Sequence, residues 1–401
     1  DVCSSDLNTI CTEYLTDSVE VNLDRPGLIG IKSEMATAKT TLVKEHRLAH
    51  KNERFLVIGH RIALLRELSQ PNKLNTTMYS DVFSGKMERE NAFSITVDSL
   101  HKLKTEANYY DCIFIDEARQ VLRHILMAAT CKLHRQDIIS KLQYFIRKAR
   151  QVIIADAHLD DYTVDFFLSM RQEGEVPLII QNTYQHSSRK VFFYEGSDYT
   201  AQLAQLTQAV SQGKKVMAVS DSKSTIEKIE QVLVDKFVND SNGKQPSKVI
   251  WSIHSDNSGS EENQHFINNI SEAVKNVDVL LASPSLCTGV DIQGTHFDEV
   301  YGFFNTVALT ATDCLQALHR YRHRVPLHIW VAPRPSFGYK DTNAQVIKDK
   351  KSQISDFNNF ALNIDPDTGK NIPILNWAFE LYCQIEAQSN RSLNNLRDHL
   401  H

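Results

Sequence analysis

The chain has 401 residues, 42% of them apolar and 23% charged, the make-up of a soluble globular protein with room for two or three domains. A formal net charge of −5 excludes a globally basic nucleic-acid-binding surface, so any such contact has to use a local groove. Seven scattered cysteines without a C-x-x-C pair argue against a zinc ribbon or disulfide framework, and no apolar run is long enough to span a bilayer, so a cytoplasmic protein with no membrane partner is expected.

Residues 1–7 (DVCSSDL) match one translated frame of a common sequencing-library adapter. We expect them to be an added segment outside the fold, at the head of a leader covering 1–26 that ends in the turn signal DRPG. Residues 28–32 (LIGIK) then read as a strand, 33–41 (SEMATAKTT) as a small-residue loop and 42–50 as a helix. Strand, loop, Lys-Thr, helix is the order of a phosphate-binding loop. There, backbone N–H groups wrap the β-phosphate, a lysine reaches the β/γ-phosphates and a hydroxyl meets Mg²⁺. Ser33 and Ala38 occupy positions where glycine is usual, and Ala36 a third; alanine admits close approach but resists positive φ. The bland alternative is a small-residue helix start.

Residues 55–61 (FLVIGHR) read as a strand running into a basic turn, 62–68 as a helix and 94–103 (SITVDSLHKL) as a β-branched strand with a polar end. In 110–119 (YDCIFIDEAR) an apolar run ends in two adjacent carboxylates, as a buried parallel strand does at the edge where open α/β sheets bind ligands. Asp116 followed by Glu117 suits metal-assisted phosphate chemistry, the first holding Mg²⁺ and the second deprotonating the attacking water. The segment between Lys39 and Asp116 has room for two βα units. Residues 151–160 (QVIIADAHLD) form another buried strand ending in acid and imidazole, and the alternation indicates a parallel, doubly wound sheet.

A second α/β set follows a loop at 181–189: strands at 191–194, 214–220, 249–254 and 277–284, helices at 199–211 and 224–236, and a helix carrying 316–324 (QALHRYRHR). Domain boundaries are expected at 27–187 and 188–335, with a helical extension over 336–401. Bland readings stand beside the sharper ones. Cys287 and Cys314 fit small buried apolar sites, Arg119 a first-turn surface cation or domain-cleft ion pair, His60-Arg61 a solvated strand end, and 192–194 (FFY) sheet core rather than a base-stacking platform.

The order and spacing of these segments over 27–333 resemble a superfamily 2 helicase core. Within that group they resemble the herpesvirus-type replication-origin-binding helicases and related cyanobacterial plasmid and phage replication proteins. Residues 33–41 correspond to Walker A, 59–61 and 99–103 to strand-contacting motifs, 116–119 to Walker B, 156–159 to a DA-x-L segment, 283–291 to motif V and 316–322 to motif VI. The resemblance implies an α/β fold of two RecA-like parallel-sheet domains, a P-loop NTPase, with a short helical C-terminal extension. ATP and Mg²⁺ are the implied cofactors. Ser33, Met35, Ala36, Thr37, Ala38, Lys39, Thr40 and Thr41 would cradle the nucleotide, Thr40 and Asp116 ligate Mg²⁺ and Glu117 act as base. Arg320 and Arg322 would be arginine fingers and Gln316 a nucleotide sensor, while Gly289 and Asp291 would link nucleotide state to the DNA groove. His60, Arg61, Ser99 and Thr288 would touch phosphates of a single strand. Motif VI reads QxxHRxRHR, which leaves Arg322 and Arg324 both open as the finger.

The implied function is an ATP-dependent DNA helicase or translocase in replication initiation of a plasmid, phage or similar element. Its partners would be single-stranded or origin DNA and other replication proteins. Two further readings stand: a non-unwinding translocase of a defence system, and a non-catalytic nucleic-acid-binding module with a degenerate phosphate loop.

Overall fold

A computed structural model describes residues 6–83, 86–105, 108–185, 189–239, 248–283, 292–353, 362–364, 371–373 and 376–401. The chain divides into two compact units, Asp1–His186 with Ala344–Ile385, and Ser187–Asn343 with Glu386–His401.

The first unit is built on strands β1 (Asp6–Ile10), β2 (Gly27–Lys32), β3 (Phe55–Gly59), β4 (Thr77–Met78), β5 (Ala92–Thr96), β6 (Cys112–Asp116), β7 (Gln151–Asp156) and β8 (Leu178–Asn182). They form one sheet in the order β1-β8-β2-β7-β6-β3-β5-β4, and every pairing is parallel. Helices α1 (Lys39–Ala49), α2 (Ile62–Ser69), α3 (Ala118–Met127), α4 (Arg135–Lys148) and α5 (Asp161–Leu168) provide the crossovers. The continuous apolar runs of β2, β6 and β7 occupy the middle of the sheet, where helices cover both faces and alternation is lost. In this register Lys32 lies beside Asp156 and Asp116 beside Ala155, so three strand ends carrying polar groups share one edge.

Three of these strands carry weak sequence signals. In β1 only Ile10 is buried, β4 is two residues long, and β8 covers the beginning of the stretch read as a loop at 181–189. The strand read at 94–103 stops at Thr96 and continues as 3₁₀ turns over Val97–Lys102. Val97 and Leu100 are both fully buried, and their i, i+3 spacing brings both into the core from a turn, whereas a strand would point them to opposite faces.

The second unit holds β9 (Val191–Tyr194), β10 (Val216–Ser220), β11 (Ile250–Ile253), β12 (Val279–Ala282), β13 (Glu299–Phe304) and β14 (Leu327–Val331), in the order β11-β12-β10-β13-β14-β9 and again all parallel. Its helices are α6 (Thr200–Ser211), α7 (Lys223–Val234), α8 (Glu261–Asn268), α9 (Ile270–Ala273) and α10 (Ala311–Leu318). Strands β13 and β14 had not been expected, yet both are buried throughout. The aromatic cluster at 192–194 lies on edge strand β9: Phe193 packs against the core, whereas Phe192 stays 38% exposed and stacks on His328 at 4.7 Å. The helix expected through 316–324 ends at Leu318. Tyr321 turns into the core, where its hydroxyl accepts from the Phe297 N–H at 2.9 Å and its backbone bridges to Ile292.

The remaining elements are α11 (Ala344–Gln353), an antiparallel hairpin of β15 (Leu362–Ile364) and β16 (Asn371–Pro373), α12 (Asn376–Asn394) and α13 (Leu396–Leu400). Among the described residues no helix is long and apolar enough to cross a membrane. Phe114 on central β6 is fully buried, so Phe114→Ala should cost about 3–5 kcal/mol and lower the thermal unfolding midpoint measured by intrinsic fluorescence.

Candidate functional site

The loop from β2 to α1 is where local conformation and sequence conflict most. Ala36 and Ala38 adopt φ of 62° and 64°, the left-handed region that alanine disfavours by roughly 1–2 kcal/mol. A chain of hydrogen bonds holds the loop in that shape. Asn182, at the end of β8, donates from Nδ2 to the Ser33 hydroxyl at 3.1 Å; Ser33 and Thr37 hydroxyls lie 2.6 Å apart, and Thr37 donates to the Glu34 carbonyl at 2.8 Å. The Leu15 N–H donates to the Thr37 carbonyl at 3.0 Å, bracing the loop from outside. Ser33 and Thr37 are buried and Ala36 is exposed, while Met35, Ala38, Lys39 and Thr40 are half-buried and Thr41 is exposed. The Lys39 ammonium donates to the Ser33 and Glu34 carbonyls at 2.7 and 2.6 Å, so its charge lies against the loop backbone.

Beside this loop, β6 delivers Asp116 and Glu117. Burial, followed by the neighbouring Glu117 carboxylate, pushes the Asp116 carboxyl up to about 7, against the opposing pull of Lys39. Asp156 adds a further negative charge from the end of β7. A half-buried acid flanked by carboxylates is a hard-oxygen donor set that a divalent cation would relieve, so Asp116 is a residue that could hold Mg²⁺. Glu117 adopts φ 51°, a second left-handed residue at the mouth of a helix, and its N–H donates to Asp116 Oδ1 at 3.1 Å.

Asp156 orders the same edge. Its carboxylate accepts from the Arg119 N–H at 3.0 Å and the His158 N–H at 2.8 Å, satisfying a backbone donor at the start of α3. Arg119 pairs through Nε with Asp160 at 3.1 Å, an ion pair within this unit. Asp160 also caps α5 by accepting from the Thr163 N–H at 3.0 Å.

Of the residues expected to contact nucleic acid, the His60 side chain is 3% exposed, with Nε2 3.7 Å from Glu117 Oε2. Arg61 is half-buried at the start of α2, and Ser99 is buried in the 3₁₀ turns after β5. Thr288, Gly289, Asp291 and Cys287 lie outside the described residues. In the second unit Gln316 lies half-buried on α10, and Arg320 is buried in the turn that follows; Arg322 is half-buried and Arg324 exposed. Cys314 is fully buried, as a small apolar site would be.

The structure thus brings Lys39, Asp116, Glu117, Asp156 and His60 to one edge of the first sheet. Asn182 and Leu15, which hold the loop, had no sequence signal: the first fell in a stretch read as a loop and the second is an isolated leucine.

Compared with known proteins, residues 29–238 match the family described as origin of replication binding protein, which is more than half of the chain. The chain belongs to the origin-of-replication-binding protein family. An uncharacterized protein of Picosynechococcus sp. is 29% identical over 322 residues, covering 76% of this origin-binding family member and 32% of the relative. A helicase/primase complex protein, so named, of African swine fever virus is 27% identical over 251 residues, covering 62% of this chain and 22% of that protein. The chain therefore spans about a third or less of these relatives. Among solved structures, S. cerevisiae Dbp5 bound to RNA and ADP BeF3 superposes with a TM-score of 0.55 at 13% identity, covering 83% of this chain and 84% of that one. Each of the two parallel α/β sheets accordingly has the RecA-like fold.

Because Ala38 is held at φ 64°, Ala38→Gly should raise stability by about 0.5–1 kcal/mol, while Ala38→Val should lower it. Thermal unfolding of the three proteins in parallel checks the order.

Proposed function

We propose that this origin-binding family member is an ATP-dependent DNA translocase with helicase activity, acting in replication initiation. The observation that carries the reading is the convergence of the Lys39 loop with Asp116 and Glu117 on one sheet edge. The left-handed geometry of Ala36 and Ala38 also favours a working phosphate loop over a degenerate one, since alternating left- and right-handed residues can turn successive backbone N–H groups toward one point.

In this account the loop N–H groups and Lys39 would bind the nucleotide triphosphate, while Thr40 and Asp116 would hold Mg²⁺, which would supply charge neutralisation at the phosphates. Glu117 would take the proton of the attacking water, with His60 Nε2 lying 3.7 Å from its carboxylate. Arg320 and Arg322, with Arg324 as the alternative to the latter, would serve as arginine fingers, and Gln316 would read the bound nucleotide. Arg61, Ser99 and Thr288 contact the strand, and Gly289 and Asp291 transmit nucleotide state. Affinity for DNA rests on phosphate contacts and falls steeply with salt.

The test is ATP turnover by the chain with and without single-stranded DNA, beside Glu117→Gln. DNA-stimulated turnover that falls at least about 10²-fold in the variant is expected. Turnover unchanged by Glu117→Gln overturns the assignment of the base, and stimulation by RNA alone overturns the DNA reading. Strand displacement on a forked duplex then separates a helicase from a translocase that leaves strands paired.

A further inference from the structure

At the opposite end of α1 from Lys39, His46 and His50 lie one helical turn apart with ring centroids 4.5 Å from each other. Facing them is Asp24, from the loop that enters β2. Its Oδ1 is 3.3 Å from His46 Nδ1 and 3.7 Å from His50 Nε2. The hydrogen-bond network around the two rings determines which nitrogens carry protons. Gln151 donates through Nε2 to the carbonyls of Leu23 and, at 2.9 Å, of Arg25, so its Oε1 is fixed as an acceptor. That oxygen lies 2.7 Å from His46 Nε2, which must therefore be the N–H. His50 Nδ1 lies 2.9 Å from the His46 carbonyl, which can only accept, so Nδ1 is the N–H there.

In the neutral rings, His46 Nδ1 and His50 Nε2 are then bare lone pairs, and both point at a carboxylate oxygen. Three acceptors converge with no proton among them. The His46 side chain is only 5% exposed, so bulk water has little access to its lone pair. A cation relieves the conflict directly. The three ligand atoms lie within 4.8 Å of one another, and a divalent ion bonded to each at about 2.0–2.2 Å would place them about 3–3.5 Å apart. Each imidazole already donates its other N–H to a fixed oxygen, the arrangement that orients metal-bound histidines.

We propose that Asp24, His46 and His50 form a binding site for a first-row divalent transition metal, with Zn²⁺, Co²⁺ and Ni²⁺ the fitting ions and water completing the shell. Two imidazoles and one carboxylate suit that class of ion, and a cation at the C-terminal end of α1 also meets the negative end of the helix dipole. The bound ion fastens the entry of β2 to the far end of the helix that begins with Lys39. It is independent of nucleotide chemistry. Asp98, His124 and Cys131 form a superficially similar group, but there His124 Nε2 lies 2.9 Å from both Asp98 oxygens and Cys131 Sγ donates to Asp98 at 3.4 Å, so the donors and acceptors already match.

The experiment is calorimetric titration of the metal-stripped chain with ZnCl₂ near neutral pH, alongside Asp24→Asn, His50→Gln and Cys131→Ser. Asp24 and His50 side chains are 64% and 30% exposed, so both variants should fold. One equivalent of Zn²⁺ bound by the chain and by Cys131→Ser, with affinity at least about tenfold weaker in Asp24→Asn and in His50→Gln, is expected. No uptake by the unsubstituted chain, or affinity in the two site variants equal to that of the unsubstituted chain, overturns the proposal. Titration with CoCl₂ gives a second readout: weak d–d absorption is expected, and an intense thiolate charge-transfer band would place the ion on a cysteine and likewise overturn it.

Discussion

The parallel register of β2, β7 and β6 is the constraint on which the candidate site depends. It places Lys32 beside Asp156 and Asp116 beside Ala155, so the phosphate-loop start, the Asp156 cap and the carboxylate pair emerge at one edge. A one-residue slip in any of these strands would turn its buried face outward and carry its terminal acid away from the others. The apolar cores of β2, β6 and β7 therefore do two things at once: they drive burial, and they set where charge accumulates.

That accumulation is costly in the absence of a compensating ion. Burial, with Glu117 and Asp156 crowding the same space, raises the carboxyl of Asp116 to about 7 against the opposing charge of Lys39. Backbone strain gathers at the same place, in Ala36, Ala38 and Glu117, all with positive φ. Strain and crowded charge together are what a nucleotide and its metal would relieve on binding. Family membership and the RecA-like fold set the context for this reading, and the local geometry gives it a specific chemistry.

Much of this was legible in the sequence, for identifiable reasons. The strands that end at Lys32, Asp116 and Asp156 are long β-branched runs followed by polar groups, so pattern and burial agree. Strand β1 was missed because an edge strand buries one residue, Ile10, and so shows no apolar run. The 3₁₀ turns after Thr96 were read as strand because Val97 and Leu100 are apolar, and only their spacing betrays the turn. The helix through 316–324 was overextended because Tyr321, which turns into the core beyond the helix end at Leu318, is indistinguishable by composition from a helical residue until its partner Phe297 is known. Asn182 was invisible for the same reason: its role is a contact with Ser33 across the sheet, from a strand far along the chain. Likewise, His60 reads as a polar strand end and turns out to face Glu117.

The central claim is that a loop carrying alanines in left-handed conformations binds a nucleotide triphosphate through Lys39. Titrating the chain with a fluorescent ATP analogue in the presence of Mg²⁺, beside Lys39→Ala, tests it most directly. The account predicts saturable binding that weakens by at least about tenfold in Lys39→Ala, the loss of a charge-assisted phosphate contact. Equal binding by both proteins, or none by the unsubstituted chain, would contradict it.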